Sequence, residues 1–192
     1  MGTLIKGKPV AEEIKEKLKS EVKDLKAKGI IPKLSIIRVG DDPGDMAYER
    51  GAIKTMVSIN IETDVRVMSK NITQSEFINE LRNINNDKSI HGILILRPLP
   101  KQLDENVIKN VIAPEKDVDC FSPVNVAKVF EGDETGFPPC TPSAVMEILK
   151  YYDISLKGKN TVVIGRSMIV GKPAAMLLLK EHATVTICHS RT

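Results

Sequence analysis

The sequence predicts an α/β fold in which a mostly parallel sheet is covered by helices. Short apolar stretches typical of buried strands alternate along the whole chain with longer stretches whose apolar residues recur at helical spacing. Turn residues, mainly Gly, Pro, Asn and Asp, separate these stretches. Because parallel strands are joined by crossover helices, this order favours β-α-β units, whose ligands bind beyond the carboxyl ends of the strands.

In the first part of the chain, predicted helices and strands alternate. The first helix, at residues 9–28, has an apolar residue every three or four positions and ends before Gly29, a common helix stop. Further along, Thr73 and Glu76 have the spacing of a capping box at a helix start. The elements after the first helix are a strand at 34–39, a turn at 40–44, a helix at 45–59, a strand at 63–68, a helix at 73–83 and a strand at 91–96.

The last part of the chain predicts one further β-α-β unit. A proline-rich segment at 138–142 suits a junction, so the sequence predicts two domains, residues 1–142 and residues 143–192. Gly165 and Gly171 lie in the turn between a strand and a helix, where free backbone N–H groups and the helix dipole favour a phosphate. The elements of this part are a helix at 143–151, a strand at 161–164, a helix at 174–180 and a strand at 183–188.

The residues after the second strand of this unit predict which dinucleotide it binds. A dinucleotide fold usually carries Asp or Glu there for the ribose hydroxyl, and a basic residue where the cofactor has a 2′-phosphate. Residues 189–192 include no acid, and Arg166 and Arg191 supply positive charge, which favours NADP over NAD. A merely solvated surface is the alternative. The predicted cofactor-binding residues are Gly165, Arg166, Ser167, Gly171, Ser190 and Arg191.

Composition and charge argue against several other classes of partner. A net charge of +3 and an aromatic content of 4% are too low to indicate nucleic-acid binding. No apolar stretch approaches the ~20 residues of a membrane-spanning helix, and no signal-peptide core follows the N-terminus. Cys120, Cys140 and Cys188 are widely separated, so we expect reduced thiols, no metal site and a cytoplasmic location.

A set of motifs lies in order along the whole chain. The motifs occupy residues 39–43 with Tyr48, 91–94 with 98–100, 114–119, 139–142, 165–173 and 188–190. With them, the chain resembles the bifunctional methylenetetrahydrofolate dehydrogenase/cyclohydrolase family, of the FolD type. The resemblance implies a folate-binding domain, residues 1–142, followed by a Rossmann-type NADP-binding domain, residues 143–192. It also implies tetrahydrofolate derivatives as substrates and a homodimer.

Members of that family continue beyond the motif at 188–190 with strands that complete the cofactor sheet. We therefore expect the Rossmann-type domain of this chain to be truncated. A chain that ends at Thr192 is expected to be poorly active by itself, because its sheet edge is exposed and its nicotinamide pocket is half built.

The resemblance carries over unevenly to the substrate site. Tyr48 matches a tyrosine that helps to shape the site, and Asp119 matches an aspartate that holds the pterin ring, for which a carboxylate can accept paired hydrogen bonds. The family's lysine, one helical turn after the tyrosine, is replaced by Ala52, and its glutamine is replaced by Leu96. Arg97 is the nearest substitute, but a guanidinium stays protonated and makes a poor base.

The resemblance implies NADP-dependent oxidation of 5,10-methylenetetrahydrofolate to 5,10-methenyltetrahydrofolate, a reaction of one-carbon metabolism. Hydride transfer mainly requires two bound molecules in close geometry, so it can survive without the lysine. Cyclohydrolysis needs a positioned group that transfers a proton, so we expect this activity to be weak or absent. The alternatives are a bifunctional enzyme that uses another base, a non-catalytic folate- or nucleotide-binding protein, and a dehydrogenase of a related imine or hydroxy acid.

Overall fold

The computed structural model describes residues 2–192. They form two compact units, one made of the residues up to Glu12 together with Val118–Thr192, the other of Glu13–Asp117. Both units contain parallel strands and helices, so the predicted α/β class is confirmed. The boundary predicted after residue 142 differs from this division of the chain and stays a prediction.

The unit Glu13–Asp117 contains a three-stranded parallel sheet in the order β2-β1-β3. Its helices and strands, in chain order after α1 (Gly7–Ala27), are β1 (Lys33–Val39), α2 (Pro43–Ser58), β2 (Glu62–Met68), α3 (Gln74–Asn86), β3 (Gly92–Ile95) and α4 (Glu105–Ile108). Ile36 in the middle of β1 is aligned with Val65 of β2 and with Leu94 of β3. Successive residues of β1 are buried, which explains why the sequence of this central strand is nearly continuously apolar.

The core of this unit takes its completely buried side chains mainly from β1 and α3. Ile36 and Ile37 are successive residues of β1, so both faces of that strand are covered. Phe77, Leu81 and Ile84 are spaced by four and three residues along α3, so they form one apolar stripe on it. The helical spacing that predicts α3 from the sequence is therefore also what fills the core.

Both ends of α3 are satisfied by side chains. At its start the predicted capping box is confirmed: the Thr73 hydroxyl accepts the Glu76 N–H at 3.3 Å, and Glu76 Oε2 accepts the Thr73 N–H at 2.9 Å. At its end, Lys116 Nζ donates to the carbonyls of Asn85 and Asp87, both at 2.7 Å. Lys116, which lies about thirty residues further along the chain, thus places a positive charge at the negative end of the helix dipole.

The other unit contains a parallel pair of strands with α7 packed against both. Its elements are α5 (Pro123–Glu131), α6 (Cys140–Tyr151), β4 (Asn160–Ile164), α7 (Gly171–Lys180) and β5 (Thr184–Cys188). Helix α7 contacts β4, β5, α5 and α6, and it buries Ala175 and Leu178 among them. On β4 the alternate residues Val162 and Ile164 are exposed.

Most predicted elements are confirmed with small changes at their ends. Helices α2, α6 and α7 begin two or three residues earlier than predicted, at Pro43, Cys140 and Gly171. Each has a proline in its first turn, where the missing N–H costs nothing because no residue precedes it in the helix to accept the bond. Prolines that the sequence analysis assigns to a turn or to a junction are therefore part of helix starts.

Two helices, α4 and α5, were missing from the sequence-based prediction. Helix α5 nevertheless has clear end signals: Ser122 caps its start by accepting the Val124 N–H, Pro123 is its first residue, and Gly132 ends it in the left-handed conformation. Helix α4 is capped by Asp104 in the same way. Both helices are too short for their apolar spacing to stand out.

The described residues include no helix that combines the length and the apolar character needed to cross a bilayer. None of Cys120, Cys140 and Cys188 takes part in a disulfide bond. No group of three or more His, Cys, Asp and Glu side chains within residues 2–192 is arranged to hold a metal ion.

The capping box of α3 predicts a pH-dependent stability. Hydrogen bonds from the backbone N–H and then the hydroxyl of Thr73 lower the pKa of Glu76, so its contribution is complete above the ordinary pKa of a glutamate. As the pH falls through the lowered pKa, this contribution is lost. Glu76→Gln should therefore lower the urea midpoint at pH 7 and change it progressively less towards pH 3, followed by circular dichroism. A difference that is the same at every pH would contradict this explanation.

Candidate functional site

The turn between β4 and α7 is folded back very tightly. The Gly165 N–H donates to the Cys188 carbonyl at 2.7 Å, and Gly165 has a φ of 136°, which L side chains rarely adopt. A Cβ placed on Gly171 would overlap the Gly165 carbonyl and lie 2.8 Å from the Arg166 nitrogen. Backbone atoms occupy the space of a side chain there, so Gly171 is required by the close approach of the turn.

Ser167 caps the first turn of α7. Its hydroxyl oxygen accepts the Val170 N–H at 3.1 Å and the Gly171 N–H at 3.3 Å, while its carbonyl accepts the Lys172 N–H at 3.0 Å. The sequence-based expectation of free backbone N–H groups at this position is therefore wrong for these three residues. An anion that binds them must replace bonds to Ser167, whereas the positive end of the helix dipole remains.

The segment after β5 is a second turn, at the same edge of the sheet. The His189 N–H donates to the Thr192 hydroxyl at 2.8 Å, and the Arg191 N–H donates to His189 Nδ1 at 3.0 Å. Ile164 is aligned with Cys188, so the residues that follow β4 and β5 emerge next to each other. The structure thus brings together the six predicted cofactor-binding residues, although their role in binding stays a prediction. They are Gly165, Arg166, Ser167, Gly171, Ser190 and Arg191.

This edge carries positive charge that faces solvent. Arg166 and Arg191 are both exposed. Arg166 is two residues after the end of β4, and Arg191 is three residues after the end of β5. Exposed guanidinium groups close to the start of a helix suit a phosphate-rich ligand, which is what the sequence predicts for this edge. The sequence located this arrangement because it depends on a local strand, turn and helix pattern.

Asp119 belongs to the same unit as α6 and caps that helix. Its Oδ1 accepts the N–H of Cys140, the first residue of α6, at 3.1 Å. Pro139, which precedes the helix, offers no side-chain cap of its own. This structural role cannot be predicted from the sequence, because the two residues are 21 positions apart and no local pattern connects them.

Tyr48 and Ala52 lie one turn apart on α2, so they share a face of the helix. Tyr48 is 60% exposed, and Ala52 is partly exposed. Asp42 caps the start of the helix, with its Oδ1 accepting the Gly44 N–H at 2.8 Å. Lys54 is exposed and lies about 240° around the helix from Tyr48, so it does not replace a lysine at position 52.

Leu96 follows β3 directly and is buried, with 6% of its surface exposed. Its N–H donates to the Ile37 carbonyl of β1 at 2.9 Å. Arg97, the next residue, is partly buried. The resemblance implies a lysine at position 52 and a glutamine at position 96. The chain has instead the methyl group of Ala52 and the buried alkyl side chain of Leu96.

Comparison with known proteins gives the family of both parts of the chain. Residues 5–119 match the family model "tetrahydrofolate dehydrogenase/cyclohydrolase, catalytic domain". Residues 139–192 match the model of the NAD(P)-binding domain of the same family. The two models together cover most of the chain, in the order that the motifs predict.

Individual relatives match the chain over nearly its whole length. The bifunctional protein FolD of Alkaliphilus oremlandii is 62% identical over 192 residues, which cover 100% of this chain and 67% of that protein. The crystal structure of bifunctional FolD from Campylobacter jejuni has a TM-score of 0.97 at 44% identity, covering 99% of this chain and 67% of that one. The Trypanosoma brucei dehydrogenase-cyclohydrolase, complexed with NADP cofactor and inhibitor, has a TM-score of 0.93 at 36% identity, covering 100% and 65%. This chain thus spans about two thirds of the length of these relatives.

The close approach at Gly171 generates a test of the turn. Gly171→Ala should destabilise the protein by about 2 kcal/mol, because the added methyl overlaps backbone atoms that have no freedom to move away. It should also weaken NADP binding about tenfold or more, measured by isothermal titration. Gly51→Ala, on α2 with open space around the added methyl, is the matched control and should stabilise by about 0.5–1 kcal/mol. Equal effects of the two substitutions would contradict the tight-turn explanation.

Proposed function

Because this chain belongs to the tetrahydrofolate dehydrogenase/cyclohydrolase family, we propose that it oxidises 5,10-methylenetetrahydrofolate to 5,10-methenyltetrahydrofolate with NADP. The observation that carries the proposal is the turn at Gly165–Gly171 beside two exposed arginines, at the end of a chain whose folate-domain motifs are also present. We also propose that the protein works in the cytoplasm as a homodimer, on the same family grounds.

The residues at the β4–β5 edge fit a phosphorylated dinucleotide. Gly165 leaves the backbone open to close approach, since no other atom lies within 4 Å of where its side chain would stand, and Gly171 lets the turn fold tightly against the start of α7. Arg166 and Arg191 supply exposed guanidinium groups for a 2′-phosphate, and Ser190, which is also exposed, supplies a hydroxyl. When bound, NADP accepts the hydride that leaves the methylene carbon.

The folate-binding role of Asp119 fits its environment. The carboxylate is partly buried and its rotamer is fixed by the hydrogen bond from Cys140. A carboxylate has two acceptor oxygens, which suit the paired hydrogen-bond donors on the amino-pyrimidine edge of a pterin. Tyr48 contributes an exposed phenol ring, whose flat apolar faces can pack against the substrate.

We propose that cyclohydrolase activity is weak. Opening the methenyl ring adds water and moves a proton, which requires a group with a suitable pKa at the reacting carbon. Ala52 has no atom that titrates, and the alkyl side chain of Leu96 neither donates nor accepts a hydrogen bond. Hydride transfer mainly depends on the placement of two bound molecules, so the dehydrogenase reaction tolerates these substitutions.

Ala52 and Leu96 also favour a second candidate function, that of a non-catalytic folate- or nucleotide-binding protein. Asp45 at the start of α2, where the family resemblance implies a small polar serine, adds to this departure. A spectrophotometric assay of methenyl formation with NADP and with NAD separates the candidates. Isothermal titration with NADP and tetrahydrofolate completes the test: binding of both without turnover favours the second candidate, and no binding of tetrahydrofolate favours a dehydrogenase of another imine or hydroxy acid.

Restoring the missing groups tests the cyclohydrolase proposal. The double substitution Ala52→Lys with Leu96→Gln should raise the hydrolysis rate of methenyltetrahydrofolate about a hundredfold, the usual size of a general-base effect. Dehydrogenase activity should change much less. Lys54→Ala, on another face of the same helix, is the control and should leave both rates unchanged. Hydrolysis by the unmodified chain at the rate of a lysine-containing relative would refute the proposal.

Two substitutions of Asp119 separate its proposed contact with folate from its role as the cap of α6. Asp119→Asn keeps an oxygen that can accept the Cys140 N–H, but it replaces the other carboxylate oxygen by a donor. We expect unchanged thermal stability and about tenfold to hundredfold weaker tetrahydrofolate binding. Asp119→Ala should also lose about 1 kcal/mol of stability, because the start of α6 loses its cap. Full folate affinity in Asp119→Asn would show that this residue has only the structural role.

A further inference from the structure

A buried ion pair, outside the residues assigned above, joins β1 to α2. Arg38 Nε donates to Glu49 Oε2 at 2.7 Å, and the two side chains are only 8% and 12% exposed. A second guanidinium nitrogen of Arg38, Nη1, donates to the carbonyl of Gly40. Burying two charges has a desolvation cost that a well-packed apolar pair of similar volume avoids. Stability alone therefore does not explain the pair.

The pair closes a short segment of chain, residues 38–49, on itself. Within this closed segment, Gly40 turns with a φ of 79° and its N–H donates to the Met68 carbonyl of β2 at 2.9 Å. Asp42 then caps α2, and the first turns of that helix lead to Glu49. Each step is held by a hydrogen bond, and the last bond is the charge-assisted one that returns to Arg38.

Tyr48 directly precedes Glu49, the residue at which the ion pair closes the segment. Glu49 is three residues before Ala52 and Tyr48 is four residues before it, so each of them is a neighbour of Ala52 on α2. A rotation or shift of α2 against β1 would therefore move the proposed substrate residue. Because Nε and Nη1 of one planar group hold the helix and the turn at the same time, Arg38 fixes both the position and the rotation of α2.

We infer that Arg38 and Glu49 are positioning residues, which hold α2 at the end of β1 and thereby set the place of Tyr48 for the folate. They touch no reacting atom in this inference and act through Tyr48. The folate part of the inference rests on the proposed function, whereas the positioning of the closed segment does not.

The test uses the 192-residue chain with Arg38→Leu and Glu49→Val together, which removes both charges and leaves no buried ion unpaired. The first readout is hydrogen exchange of the backbone amides at 40–48, compared with those of α3 in the same molecule. We expect exchange at 40–48 to be about tenfold faster while α3 is unchanged. Equal protection at 40–48 in the variant and the unmodified chain would overturn the inference.

The second readout is the affinity for tetrahydrofolate and for NADP. The double variant should bind tetrahydrofolate about tenfold more weakly and NADP equally well, a split that general destabilisation would not produce. Faster exchange with unchanged tetrahydrofolate affinity would overturn the link to the folate site. An unmodified chain that binds no tetrahydrofolate would instead refute the proposed function, and the exchange data would still decide whether the pair positions the segment.

Two further variants complete the design. Arg38→Lys keeps the charge but cannot hold Glu49 and the Gly40 carbonyl with one planar group, so it should behave as the double variant does. Arg66→Leu is the matched control, because Arg66 also bridges carboxylates, Asp64 and Glu80, in the same unit. It should leave exchange at 40–48 and tetrahydrofolate affinity unchanged. Retained protection and affinity in Arg38→Lys would show that charge alone suffices and would contradict the geometric role.

Discussion

The pairing of β1 with a parallel strand on each side is the constraint on which the Glu13–Asp117 unit depends. Seven residues of β1 are aligned with β2, and four of the same residues are aligned with β3. Parallel pairing sends both neighbours in the same direction, so the carboxyl ends of all three strands lie at one edge of the sheet. The turn after β1, the start of α2 and Leu96 after β3 are at that edge for this reason.

Several side chains with a proposed role in ligand binding also accept hydrogen bonds from backbone N–H groups at the starts of helices. Asp119 caps α6 and Ser167 caps α7, each through one or more backbone N–H groups. A side chain fixed by such a bond has already lost its rotamer freedom when a ligand arrives. The same bond means that a substitution at these positions affects folding and binding together, so a loss of activity alone does not identify a ligand contact.

Local patterns in the sequence were sufficient to predict most of the fold and the turn that carries the predicted cofactor-binding residues, whose role stays a prediction. The stripe of α3, its capping box and the turn at Gly165–Gly171 are each encoded within a few neighbouring residues, and the structure has them all. Other contacts connect residues that are distant in the chain or on different elements. They are the hydrogen bond of Asp119 at the start of α6, the hydrogen bonds of Lys116 at the end of α3 and the Arg38–Glu49 pair. No periodicity reports such contacts, since they arise only when the elements pack.

The cap formed by Ser167 changes how an anion is expected to be held at α7. Because the Val170 and Gly171 N–H groups already have a hydroxyl acceptor, a phosphate that binds them exchanges one hydrogen bond for another and gains little net energy from these amides. In the proposed cofactor site, the main gain then comes from the exposed charges of Arg166 and Arg191, which dissolved ions screen. Ionic strength, rather than the fit of the backbone alone, is then the physical variable that sets how firmly this edge of the sheet retains a phosphorylated ligand.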